Sequence, residues 1–144
     1  MKKLTLFFFI AAVAICLTAC SSTEKKQPVT IDSIISGFTA AGLTVENIEV
    51  YTAETDPNQL LGRPNQYIAK TNFTCGENVS GTIEQFSNTS DLNSRKEYVT
   101  QVTSSMSMLS QYIYASDLFL LRIDHQLTPE DAAKYNETFL ELTK

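Results

Sequence analysis

The chain has 144 residues, a size that predicts one domain, and it carries 11 basic against 16 acidic residues. Its lysines and arginines are scattered, whereas nucleic-acid binding requires a basic stripe that displaces counterions from phosphates. The composition therefore predicts no nucleic-acid partner, and the same acidity argues against adhesion of the domain to anionic lipid head groups.

The N-terminus has the features of a secretion signal. Lys2 and Lys3 precede an apolar run over residues 4–17. This run is shorter than the about 20 residues that a membrane-spanning helix needs, and it is typical of the hydrophobic region of a signal peptide. We therefore predict a signal peptide over residues 1–19.

The apolar run ends in Leu17, Thr18, Ala19 and Cys20. These residues resemble the lipobox of bacterial lipoproteins, in which an aliphatic residue and two small residues precede a cysteine. The resemblance implies that the Cys20 thiol receives diacylglycerol and that a dedicated peptidase then cleaves before Cys20. Two acyl chains anchor a protein stably. The mature protein is therefore expected on the outer face of the cytoplasmic membrane, or at the outer membrane if the host is Gram-negative.

Removal of the signal peptide changes the charge and the cysteine content. Two of the 11 basic residues, Lys2 and Lys3, are removed with the signal peptide. The mature chain therefore has nine basic and 16 acidic residues, a formal charge of −7. Residues 20–30 are polar and predict a tether, followed by a single domain over residues 31–144. The signal peptide takes one of the three cysteines and the lipid takes a second, so Cys75 is left without a disulfide partner.

The first predicted element of the domain is a helix. Thr30 has a side chain suited to an N-cap, and the apolar residues that follow it recur at helical spacing. Gly42 is expected at the C′ position, where a glycine ends a helix in the left-handed conformation. Residues 44–52 follow without a clear period, and we expect them to be extended or mostly loop.

Two hairpins are predicted in the rest of the domain. Alternation over residues 66–75 places Tyr67 and other large side chains on one face of a strand. After a turn over residues 76–81, the chain returns as a second strand over residues 82–86. Residues 112–115 and 118–124 are expected to form the second hairpin.

Two more helices accompany these hairpins. The apolar stripe over residues 91–110 predicts one of them, and Thr128 with Pro129 at the first helical position predicts the start of the last one. The order helix, hairpin, helix, hairpin, helix predicts an α+β fold. We expect an antiparallel sheet of about four strands with helices packed on one face.

Several segments resemble small, functionally uncharacterised lipoproteins of Gram-positive bacteria. The longest similar stretch covers residues 56–67, and shorter ones cover residues 81–86, 95–98, 120–122 and 127–130. The resemblance extends over nearly all of the mature domain. It implies a location at the cell envelope and brings no activity with it.

The segment over residues 56–67 is also the best candidate for a functional surface. It is a long, turn-rich connection that combines apolar, basic and aromatic side chains, a mixture suited to recognition. The candidate binding residues are Asp56, Leu60, Leu61, Arg63, Tyr67 and Arg122, the last because it could lie beside Arg63 and hold a carboxylate. A structural interpretation stays open, in which the leucines fill the core edge, Arg63 pairs with Asp56 or Glu54, and Tyr67 packs on the sheet.

An enzyme requires converging polar groups, and the chain offers few. It has one histidine, no tryptophan, no metal-ligand spacing of cysteine and histidine, and no glycine-rich phosphate loop. We therefore predict a lipid-anchored binding or accessory protein for an envelope protein or cell-wall ligand, with no enzyme activity and no metal or cofactor besides its lipid. Two alternatives stay open: an inhibitor, immunity or phage-exclusion lipoprotein, and a small hydrolase or thiol enzyme that uses Cys75 and His125.

Overall fold

The computed structural model describes residues 28–144. Its helices and strands, in chain order, are α1 (Ile31–Ala40), β1 (Glu46–Val50), β2 (Ala69–Gly76), β3 (Val79–Gln85), α2 (Thr89–Ser105), β4 (Gln111–Ser116), β5 (Phe119–Asp124) and α3 (Pro129–Leu142). A short 3-10 helix, Ser107–Leu109, joins α2 to β4. The predicted signal peptide 1–19, Cys20 and most of the tether lie outside the described residues. No helix within residues 28–144 combines the length and the apolar character needed to cross a membrane.

The strands form one open antiparallel sheet in the order β1-β2-β3-β5-β4. The predicted α+β class is confirmed, but the sheet has five strands where about four were expected. The additional strand is β1, within the segment expected to be extended or mostly loop. All five β1 residues are exposed, so β1 has no buried face to impose an alternating pattern. It is held by backbone pairing with β2, from Glu46 opposite Thr74 to Val50 opposite Thr71.

The larger core lies between the sheet and the two helices α1 and α3. Phe38 of α1 and Phe139 of α3 are fully buried there against strand residues such as Ile83. Tyr135 of α3 meets the Phe38 ring edge-on, with 5.3 Å between the ring centroids. The Tyr135 hydroxyl donates a hydrogen bond of 2.6 Å to the carbonyl oxygen of Thr44. This contact ties α3 to the segment that leads into β1.

The third helix, α2, lies on the opposite face of the sheet, so the prediction that the helices pack on one face is wrong. Leu92 of α2 packs with Leu120, Phe86 and Tyr67 in a second, smaller core. Neighbouring strand residues point to opposite faces, so Leu120 belongs to this second core whereas Leu121 belongs to the larger one. The continuous apolar run of β5 reflects its burial on both faces.

The ends of the helices follow local sequence signals where those signals are strong. Thr30 caps α1 and shares a capping box with Ser33. Gly42 has a φ of 76°, and the N–H of Leu43 donates to the carbonyl oxygen of Phe38 at 3.0 Å, as in a Schellman motif. The predicted start of α3 is also confirmed, because the Thr128 side chain accepts a hydrogen bond from the Asp131 N–H and a proline follows.

Helix α2 ends five residues before the predicted end at residue 110. The hydroxyls of Ser104 and Ser105 both donate to the carbonyl oxygen of Gln101, at 2.9 and 2.8 Å. Such side-chain bonds compete with helix continuation, and the chain becomes extended at Met106. Met106 and Leu109 belonged to the predicted apolar stripe, and both are exposed instead.

The first hairpin is tighter than predicted, because β3 begins at Val79 and the turn occupies residues 77–78. Asn78, the second turn residue, adopts the left-handed conformation with a φ of 59°, which asparagine tolerates better than most residues do. Gly81 therefore lies inside β3, directly opposite Phe73 of β2. The second hairpin matches its prediction, with its turn at Asp117.

We expect Gly81→Ala to lower the free energy of unfolding by about 1–3 kcal/mol, the usual cost of overpacking a core. A Cβ atom at Gly81 would lie 2.3 Å from Cζ of Phe73, and that ring is almost completely buried. Gly76→Ala is the matched control, because its Cβ would meet Val79 Cγ2 at an ordinary 3.4 Å. Urea unfolding should separate the two variants, and equal stabilities would mean that Phe73 moves aside freely.

Candidate functional site

The face of the sheet beneath α2 carries buried charges rather than a purely apolar core. Lys70 of β2 and Glu84 of β3 lie directly opposite each other in the strand register, and both are buried. Each of them pairs with charged side chains from outside these two strands. The pairs form two groups, which we call the Asp56 cluster (Asp56, Tyr67, Lys70) and the Glu84 cluster (Glu84, Arg95, Arg122).

The Asp56 cluster is built around a carboxylate that is only 2 % exposed. Oδ1 of Asp56 accepts a hydrogen bond from Nζ of Lys70 at 2.9 Å. Oδ2 accepts from the Tyr67 hydroxyl at 2.6 Å and from the backbone N–H groups of Leu60 and Leu61 at 3.0 and 3.1 Å. One carboxylate thus folds the segment over residues 56–67 onto the sheet.

These contacts determine the protonation states within the Asp56 cluster. Burial by itself raises the pKa of the Asp56 carboxyl, but the hydrogen bonds from Tyr67, Lys70 and the backbone outweigh it and hold this pKa well below its ordinary value. Burial and the bond to Asp56 raise the pKa of Tyr67 to about 12. At neutral pH Asp56 is therefore a carboxylate and Tyr67 keeps its proton, so the cluster is a stable structural ion pair.

In the Glu84 cluster two guanidinium groups share one carboxylate. Arg95 of α2 binds Glu84 through both oxygens, with Nε 3.1 Å from Oε2 and Nη2 2.9 Å from Oε1. Nη2 of Arg122, on β5, donates to the same Oε1 at 3.0 Å. The Glu84 side chain is 0 % exposed, and those of Arg95 and Arg122 are 9 % and 13 % exposed. The cluster therefore carries one net positive charge.

Arg122 is incompletely paired within this cluster. Its Nη1 donates to Oε1 of Gln111 at 3.3 Å, but its buried Nε has no hydrogen-bond partner among residues 28–144. Burial lowers the pKa of the Arg122 guanidinium; the charge of Glu84 opposes this shift and that of Arg95 adds to it. Because arginine keeps its proton in proteins, the result is a buried cation with unused hydrogen-bonding capacity.

The two arginines of the Glu84 cluster line an open cavity of about 740 Å³, which we call the α2 cavity. It lies between α2, the segment over residues 56–67 and the end of the sheet that begins β4. Its apolar wall is formed by Leu60, Val99, Val102 and Leu109. Its polar wall includes Arg95, Arg122, Gln111 and the exposed ring of Tyr98. Its size is in the range of sites for small organic ligands.

The structure separates the residues predicted as one binding surface. Asp56 and Tyr67 are buried, and Leu60 and Leu61 pack against the second core. Arg63 is exposed on a separate cavity of about 540 Å³ that Asp56 and Leu61 also line. Arg122 lines the α2 cavity together with Leu60, so the two predicted arginines share no cavity. Lys70, and not Arg63, is the partner of Asp56.

Lys70, Glu84 and Arg95 were not predicted as site residues from the sequence. The sequence does contain a signal for the first two, because Lys70 lies within β2 and Glu84 within β3, both on the sheet face opposite the larger core. In a two-layer fold a charged residue on that face usually points to solvent. It indicates a buried ion pair only when a helix covers the face. Arg95 has no comparable signal, because charged residues are ordinary on a helix.

Cys75 and His125, the pair considered for thiol chemistry, each have another partner. The buried Sγ of Cys75 donates to the carbonyl oxygen of Val79 at 3.5 Å, and burial raises the pKa of this thiol to about 11. Nδ1 of His125 lies 3.0 Å from the carbonyl oxygen of Ser110. At neutral pH Cys75 is therefore a thiol, not a thiolate, in this structure.

The sequence matches no family model, and no curated protein or solved structure is similar to it at a significant level. Within residues 28–144 no group of three or more histidine, cysteine or acidic side chains is arranged to hold a metal ion.

Proposed function

We propose that this chain is the precursor of a lipid-anchored, extracytoplasmic binding protein whose ligand occupies the α2 cavity. The observation that supports a binding site is that the two arginines of the Glu84 cluster line this cavity. Buried charged groups with free hydrogen-bonding capacity are uncommon in a structural core. They are common in ligand sites, where a few polar groups orient a ligand against an apolar wall.

The available chemistry favours binding over catalysis at this cavity. Its two cationic groups are guanidinium groups, which donate hydrogen bonds and do not exchange protons near neutral pH. Glu84, the adjacent carboxylate, accepts three hydrogen bonds from Arg95 and Arg122. Glu84 does not line the cavity, so its carboxylate has no direct contact with a ligand from which it could take a proton as a general base.

The proposed location rests on the N-terminal sequence and on the resemblance to small Gram-positive lipoproteins. The lipobox residues end at Cys20, and two acyl chains on this cysteine would anchor the protein stably. The acidic composition offers no attraction to anionic lipid head groups, so the lipid would be the anchor. A fully extended tether over residues 20–30 spans at most about 40 Å. The cavity would therefore work close to the membrane surface, within reach of envelope proteins and cell-wall components.

We expect intact mass measurement on the membrane fraction to show a chain that begins at Cys20 and carries a diacylglyceryl group. In the Cys20→Ala variant this mass should disappear and the protein should be released or mislocalised, because the thiol that takes the lipid is absent. Cys75→Ala is the matched control, since its buried thiol is distant in sequence from the lipobox. It should keep the lipid mass. A wild-type protein that retains residues 1–19 and has no lipid mass would contradict the proposed anchoring.

A further inference from the structure

The α2 cavity has a positive wall in an otherwise acidic protein. Its charged lining residues are Arg95 and Arg122, and no acidic residue among those described lines it. Glu84 lies behind the two guanidinium groups, fully buried, and neutralises one of them. One positive charge is left uncompensated at the cavity wall. An unpaired buried charge is costly, so the cavity is electrostatically suited to a single negative charge.

The shape of the two cationic groups at the same place suits a planar anion. The guanidinium-bearing residues Arg95 and Arg122 line the cavity, whereas the Nε of Arg122, which has no partner in the described part of the chain, is buried. The neighbouring Gln111 side chain, which also lines the cavity, is in contact with Nη1 of Arg122. The fork of a guanidinium group matches the two oxygens of a carboxylate. A leftover charge of one unit suits a carboxylate better than a phosphate, which carries more negative charge at neutral pH.

The rest of the cavity indicates what is attached to that anion. Val99, Val102 and Leu109 present an apolar wall beside the guanidinium groups. The Tyr98 ring at the rim is 59 % exposed, and Leu109 is 46 % exposed. An apolar wall beside a few charged groups is the usual lining of a cavity that binds a small organic ligand. A small inorganic anion would leave this wall uncovered.

We propose that the α2 cavity binds the carboxylate of an organic monoanion with an apolar body, with the carboxylate held by Arg122 beside Arg95 and the body against Val99, Val102 and Leu109. This inference rests on the proposed binding function and names its ligand class. The same chemistry is presented by a free small carboxylic acid and by the C-terminus of an apolar peptide. These two sources are distinguished by the choice of probes.

The test uses the mature lipoprotein in non-ionic detergent micelles and isothermal titration calorimetry. The probes are hexanoate and hexanamide, an N-acetylated apolar tetrapeptide and its C-terminal amide, and inorganic phosphate. We expect a carboxylate probe to bind at least tenfold more tightly than its amide and than phosphate. Binding of hexanoate would point to a free acid as ligand, and binding of the peptide acid alone would point to a chain terminus.

Arg122→Gln should weaken binding of the carboxylate probe by roughly 10- to 100-fold, the range expected for loss of a charge-assisted hydrogen bond. The variant keeps the bidentate pair between Glu84 and Arg95, so a neutral cluster is left behind. Arg63→Gln is the matched control, because this exposed arginine lies outside the α2 cavity. Its affinity should equal that of the wild type.

Ser94→Glu keeps the test decisive if Arg122→Gln fails to fold. Ser94 is exposed on α2 and lines the cavity, so a carboxylate there should be tolerated by the fold and should compete with the ligand. Amides that bind as tightly as carboxylates, or a carboxylate affinity unchanged in Arg122→Gln and Ser94→Glu, would overturn the carboxylate inference while leaving a binding cavity. No binding of any probe would also overturn it, and the anchoring part of the proposed function would still be judged by the intact mass.

Discussion

Glu84→Gln is expected to lower the free energy of unfolding by about 3–5 kcal/mol, the usual cost of removing one partner from a buried ion pair. Glu84 is fully buried and is the shared acceptor for Arg95 and Arg122. Without its charge, two guanidinium groups lie side by side beneath α2 with no counterion and repel each other. Urea unfolding followed by far-UV circular dichroism measures the loss directly.

A second substitution separates this charge effect from simple loss of packing. In the Glu84→Gln background, Arg122→Met removes one of the two uncompensated cations, so we expect it to restore more than about 1 kcal/mol. Glu137→Gln is the control for replacing a glutamate by glutamine, because Glu137 is exposed on α3. It should change the free energy of unfolding by no more than about 0.5 kcal/mol. If Glu84→Gln lowers the free energy of unfolding as little as the control does, water in the α2 cavity must screen the repulsion between the two guanidinium groups.

Asp56→Asn is expected to cost a similar amount, about 3–5 kcal/mol at neutral pH. The substitution leaves the Lys70 ammonium buried without a countercharge, beside the ring faces of Tyr51 and Tyr67 at 4.7 and 5.6 Å from their centroids. It also disturbs the bonds that Asp56 accepts from the backbone of Leu60 and Leu61. We therefore expect the segment over residues 56–67 to exchange its amide protons faster as well.

The cost of Asp56→Asn should depend on pH in a defined direction. The folded-state pKa of Asp56 lies below its ordinary value, so its carboxylate stabilises the fold fully above the unfolded pKa of about 4. This contribution is lost as the pH falls through the folded-state pKa. The difference between wild type and variant should be constant above about pH 5 and should shrink below about pH 4.

The control for Asp56→Asn is Asp117→Asn, at an exposed turn position with a φ of 50°. Asparagine adopts this left-handed conformation readily, so the free energy of unfolding should change by no more than about 0.5 kcal/mol. A wild-type stability that stays flat down to pH 2, with no convergence of the Asp56→Asn curve, would contradict the assigned role of the carboxylate.

The folding elements with strong local signals were predictable from the sequence. Thr30, Gly42 and the pair Thr128 with Pro129 mark helix ends, and they do so because capping depends on backbone groups only two or three residues away. The hairpin of β4 and β5 was likewise predictable from its apolar strands and short turn. The α+β class follows from the order of such elements.

The positions of the candidate binding residues were predictable only in part. Arg122 was selected from the sequence and lines the α2 cavity, whereas Asp56 and Tyr67 were selected as surface and are buried. The sequence pattern shows that a residue is polar or aromatic in a turn-rich segment. It does not show whether another part of the chain covers that segment.

The capped helix ends at Thr30, Gly42 and Thr128 and the presence of two hairpins followed from the sequence alone, because each depends on neighbours within a few residues. Three features depend on the tertiary structure: β1 joins the edge of the sheet, α2 covers its second face, and the charges beneath α2 pair. The reason is distance along the chain: Tyr67 and Lys70 lie 11 and 14 residues from Asp56, and Arg122 lies 38 residues from Glu84. Such pairs form only when the strands and α2 have packed, because packing brings groups that are distant in sequence together and removes the water that solvates them in the unfolded chain. Each buried charge then requires its partner, since a buried charge left unpaired is strongly destabilising.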